Sequence, residues 1–63
     1  MILLDMLDFL EPDTKITLYV DDEAVCKSIL PENFKSTKYF GYRINQIKAT
    51  DFMEMEIHLS KAF

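Results

Sequence analysis

The sequence predicts an α+β fold, with one N-terminal helix packed on an antiparallel sheet of about four strands, in the order α-β-β-β-β. Three patterns carry this expectation. MILLDMLDFL repeats apolar residues at helical spacing, KITLYV alternates with period two, and MEMEIHLS alternates again near the other end. A chain of 63 residues is expected to form a single domain, 1–63.

Residues 2–11 read as the helix. Asp5, Asp8 and Glu11 form one narrow acidic stripe. The apolar residues around it cover an arc of about 220°, whereas a surface helix needs only about 100°. That surplus implies either deep burial or a flank that meets another subunit. Pro12 stops the helix, because the residue before a proline avoids the α region. Asp13-Thr14 supplies turn chemistry.

In KITLYV, Ile16, Leu18 and Val20 point one way, and Thr17 and Tyr19 the other. Asp21-Asp22-Glu23 is a polar turn. AVCKSIL, residues 24–30, reads as the return arm of a hairpin, with a short helix as the alternative. Residues 31–37 form the longest loop, with Phe34 as its anchor. Lys38 to Ala49 reads as a strand, with Phe40, Tyr42 and Ile44 on one face. Ile47 and Ala49 then take the inward register at odd positions, which requires a bulge or bend near Asn45-Gln46. Gly41, the sole glycine, marks a bulge or a close approach by another backbone or a ligand. Thr50-Asp51 is the next turn. In the last strand Met53, Met55, Ile57 and Leu59 face in, and Glu54, Glu56, His58 and Ser60 face out.

The small size matters. A chain this short buries only about 60% of its unfolded surface and usually needs a staple. One cysteine, Cys26, makes no internal disulfide, and no Cys/His set has zinc spacing. Self-association is the staple left, and the edges of so small a sheet invite it. A lone cysteine suits a reducing, cytoplasmic setting. No run of apolar residues is long enough to span a membrane, and the N-terminus lacks the basic flank and cleavage site of a signal peptide.

The net charge of −4 is unevenly spread. Residues 1–32 carry −6, residues 33–50 carry +4 without one acid, and residues 51–63 carry −2. The basic stretch also holds Phe34, Tyr39, Phe40 and Tyr42. Strand alternation would set Tyr39, Gly41, Arg43 and Asn45 on one face, flanked by Lys38 and Lys48. Tyrosine stacks on bases and arginine grips phosphate. That set suits single-stranded nucleic acid or a small phosphorylated ligand; the plainer reading is an ordinary solvated strand face. The acidic residues Asp5, Asp8, Glu11, Asp21, Asp22 and Glu23 form a second candidate surface, facing a basic partner.

No metal site is expected. Glu54, Glu56 and His58 share a strand face, but residues i and i+4 there lie about 13 Å apart. Asp21-Asp22-Glu23 lacks the glycine and distal glutamate of a calcium loop. One histidine, one thiol and one glycine are thin material for catalysis, so no enzyme activity, catalytic residue or cofactor is expected.

The opening LDFLEPDTKITLYVDDE resembles the start of small uncharacterised proteins encoded by phages and prophages of low-GC Gram-positive bacteria. Leu7, Leu10, Pro12, Asp13, Thr14, Ile16 and Asp21 carry the likeness, which covers the N-terminal third of the chain. The resemblance implies an accessory viral protein working in the host cytoplasm, of the kind that includes anti-CRISPR and other anti-defence proteins. It assigns no catalytic residue. The expected function is therefore inhibition of a host defence component by binding, as a homo-oligomer. The alternative is an oligomeric module that binds single-stranded nucleic acid or a phosphorylated signalling nucleotide through Lys38, Tyr39, Arg43, Asn45 and Lys48.

Overall fold

The computed structural model describes residues 1–61. Its elements are a 3-10 helix η1 (Leu3–Asp8), strands β1 (Lys15–Val20) and β2 (Glu23–Ile29), a second 3-10 helix η2 (Pro31–Ser36), and strands β3 (Arg43–Asp51) and β4 (Glu54–Ser60). The fold is mostly β. The four strands form one sheet in the order β2-β1-β4-β3.

Two expectations change here. The sheet is mixed, not antiparallel. β1–β2 and β3–β4 are antiparallel hairpins, but β1 runs parallel to β4 from Lys15↔Glu54 to Val20↔Leu59. Two hairpins set side by side, with the first strand of one against the last strand of the other, give this order. The helix over 2–11 is also absent. Only Leu3–Asp8 is helical, and it is 3-10, closed by Phe9 N–H to the Met6 carbonyl at 3.0 Å. Tertiary contacts override helix propensity at both ends. Leu3 and Leu4 donate their N–H groups to the carbonyls of Tyr42 and Phe40, which ties the start down. Lys15 donates to the Met53 carbonyl, so the chain must already have turned back into the sheet. A 3-10 helix rises about 2.0 Å per residue against about 1.5 Å in an α-helix, which suits so short a crossing.

The hairpin turns follow local chemistry. Asp21 and Asp22 both have positive φ, 53° and 65°, between the paired residues Val20 and Glu23. That is the type I′ geometry whose twist matches the strands, and aspartate tolerates it. The second turn lies at Phe52-Met53, two residues beyond the expected Thr50-Asp51, with Met53 at φ 58°. Met53 thus sits in a turn, outside β4.

Both helices cover one face of the sheet. The core is Leu3 and Met6 of η1, Ile16 and Leu18 of β1, Phe34 of η2, and Ile57 and Leu59 of β4. The expected inward positions of β1 and β4 are thereby borne out for these residues, as is the burial of Phe34, although the segment expected as a loop over 31–37 is the 3-10 helix η2. β2 is a strand, as read. The bulge near Asn45 is real, since Ile44↔Leu59 is followed by Gln46↔His58. It lets Ile44, Ile47 and Ala49 pair with the inward residues Leu59, Ile57 and Met55. The bulge at Thr50, and two more in β2 at Val25 and Lys27-Ser28, were not legible.

Every bulge therefore lies in an edge strand, and the central β1–β4 ladder is unbroken. Bulged edges resist pairing with another chain. The N-terminus adds to this. Ile2 bridges Arg43, and Met1 accepts from the Ile44 N–H at 2.9 Å, covering part of the outer edge of β3. The edges expected to invite a second copy are thus the guarded parts of the surface.

Candidate functional site

Residues 38–49 do not form one strand. β3 begins only at Arg43, and Lys38 to Gly41 make a turn closed by Tyr42 N–H to the Tyr39 carbonyl at 2.9 Å. The basic-aromatic set is consequently split. Tyr39 packs against the core, edge-on to Tyr42 at 5.0 Å. Lys38 reaches back over the Tyr39 ring at 5.4 Å. Arg43 and Lys48 share the uncovered sheet face through their partners Ser60 and Glu56. Asn45 occupies the bulge, and its Oδ1 accepts from the Ser60 hydroxyl at 3.3 Å. Gly41 allows no special approach, because its φ is not positive and a Cβ there would meet nothing within 4 Å.

Two aromatic rings meet on that uncovered face. Tyr19 and His58 are register partners in the central strands, and their rings stack at 4.7 Å with 10° between planes. His58 Nε2 lies 3.5 Å from Glu56 Oε1 and is sealed from solvent without a hydrogen bond among the described residues. The pairing Leu18↔Cys26 puts the half-buried thiol on the core side of the sheet, opposite His58. A Cys-His pair is therefore ruled out by the sheet between them. Among the described residues no three His, Cys, Asp or Glu side chains converge as a metal site.

The acidic residues all lie exposed but do not form one surface. Asp21, Asp22 and Glu23 cluster at the β1–β2 turn. Asp5 and Asp8 lie three apart in η1, where 3-10 geometry eclipses them. Asp5 Oδ2 also accepts the Ile2 N–H at 3.1 Å, satisfying a free donor before the helix. Glu11 lies beyond the helix, and its carbonyl accepts from Thr14.

A groove that sequence reading missed lies where η1 ends and η2 begins. Leu7, Leu10, Pro12 and Asp13 form one wall, and Leu30, Pro31 and Glu32 the other, around about 390 Å³. Leucines and prolines make it apolar. Asp13 and Glu32 also line it, and Asp8 and Glu11 follow lining residues in sequence. The surplus apolar arc of the N-terminal segment was its one signal. Part of that surplus stays uncovered, with Phe9 71% exposed next to Leu10.

No family model matches the chain, and no similar curated protein or solved structure was found. No helix among the described residues is long and apolar enough to cross a membrane.

Proposed function

We propose that this chain is a binding protein whose groove between η1 and η2 takes an apolar side chain from a basic segment of a partner protein. The groove carries the proposal: a concave, largely apolar site with the carboxylate residues Asp13 and Glu32 among those that line it. Burial of an apolar anchor supplies affinity, while the carboxylates steer a cationic partner and reject an acidic one. Asp5 and Asp8 extend the negative field along η1, and Glu11 adds to it beyond the helix end. With the resemblance to phage accessory proteins, the partner is a component of host defence in the host cytoplasm, and occupation of its basic segment is the inhibitory act.

The test uses a fluorescent synthetic peptide with one phenylalanine flanked by arginines and lysines. Wild type should bind it more weakly as salt rises, since exposed charges are screened. Asp13→Lys/Glu32→Lys should weaken binding by about tenfold or more, or about 1.4 kcal/mol. Equal binding by this variant, or equal binding of a glutamate-flanked peptide, refutes the reading.

A second reading has its own observation. Arg43 and Lys48 share the uncovered face with the Tyr19–His58 stack, and neither forms an ion pair among the described residues. A phosphorylated nucleotide would meet Arg43 by its phosphate. Arg43→Ala that retains nucleotide binding removes this reading.

A further inference from the structure

The groove asks for an apolar side chain flanked by cations, and the chain itself carries one. Phe40 stands at the corner of the Tyr39–Tyr42 turn, 47% exposed. Lys38 and Arg43 flank it in sequence, both exposed and without an ion pair among the described residues. No acid occurs from residue 33 to residue 50. A chain cannot place this turn in its own groove. Leu4 N–H binds the Phe40 carbonyl at 3.1 Å, so Phe40 lies at the start of η1, whereas the groove opens at Leu7 and continues past the end of the helix.

We propose that the groove is occupied by the Phe40 turn of a second copy, giving head-to-tail self-association. Phe40 enters between the leucine and proline walls. Lys38 and Arg43 meet Asp13 and Glu32 at the rim. The +4 segment of one copy thereby lies on the −6 segment of the next. The contact joins two different surfaces, so it propagates into a ring or an open chain and does not stop at a two-fold dimer. It also spares the bulged strand edges. One phenylalanine plug with its rim falls well short of the roughly 1,200 Å² that a stable interface buries, so the association is weak and reversible. This inference rests on the groove as the binding site, and a basic partner segment would displace the second copy.

The experiment pairs two defects. Phe40→Glu spoils the plug and leaves the groove, while Asp13→Lys/Glu32→Lys spoils the groove and leaves the plug. All changes are at exposed positions, and circular dichroism checks that each variant folds. Sedimentation is measured from micromolar to millimolar protein. Wild type should gain mass with concentration, and each variant alone should remain monomeric. Mixed, the two variants should form a one-to-one pair and nothing larger, because only one plug and one groove remain between them. A wild type that stays monomeric overturns the inference, as does a mixture that fails to pair. The peptide assay separates this from failure of the groove itself. Phe40→Glu should bind the basic peptide as well as wild type does; if it binds while wild type stays monomeric, the groove stands and self-association falls.

Discussion

Phe34 should decide whether this chain folds. It is fully buried, whereas Phe9, Phe40 and Phe52 are substantially exposed. It is also the core contribution of η2, the element that connects the two hairpins on the covered face. Truncating a buried phenylalanine to alanine costs about 3–5 kcal/mol in lost transfer energy and cavity. At roughly 0.05–0.15 kcal/mol per residue, 63 residues hold only about 3–9 kcal/mol in total. Phe34→Ala should therefore remove from a third of the stability to all of it. Urea titration followed by circular dichroism reads this directly. With a slope near 1 kcal/mol/M, the midpoint should fall by about 3 M or the protein should be unfolded in buffer. Phe9→Ala and Phe52→Ala serve as controls, and each should stay within about 0.5 kcal/mol of wild type. A Phe34→Ala variant within about 1 kcal/mol of wild type would refute the assignment of η2 to the core.

Three further outcomes are expected. Met53→Gly should stabilise by about 0.5–1 kcal/mol, because left-handed geometry costs an L-residue roughly 1–2 kcal/mol and glycine returns part of that as flexibility; an unchanged urea midpoint would contradict it. A double-mutant cycle on Tyr19 and His58, each changed to alanine, should give a coupling of about 0.5–1.5 kcal/mol from the stacked pair, and additive single effects would show that the rings do not interact. Gly41→Ala should be tolerated or gain about 0.4–1 kcal/mol, since its φ is compatible and the space is open, and marked destabilisation would restore a special role for this glycine.

Much of the local structure was legible in the chain. Period-two alternation identified Ile16, Leu18, Ile57 and Leu59 as core, because one strand face must bury whatever its neighbours are. The change of phase from Ile44 to Ile47 located the bulge at Asn45, since only an extra residue keeps both on the same face. Asp21-Asp22 marked its turn because aspartate accepts positive φ. The separation of charge into an acidic and a basic segment was also plain. The binding role rests on the tests above.

What the tertiary structure decided was everything that depends on who lies beside whom. Alternation is the same for a strand with parallel or antiparallel neighbours, so the β1–β4 pairing could not be read. The apolar spacing of residues 2–11 suits a helix, yet backbone bonds to Phe40 and Tyr42 at one end and the return into β1 at the other leave only a six-residue 3-10 turn. Basic and aromatic residues adjacent in sequence were divided because the Tyr39–Tyr42 turn interrupts the strand, taking Tyr39 to the core while Arg43 and Lys48 stay on the open face. The groove needed Leu7 and Leu10 to meet Leu30 and Pro31, residues about twenty positions apart whose approach only the folded chain sets.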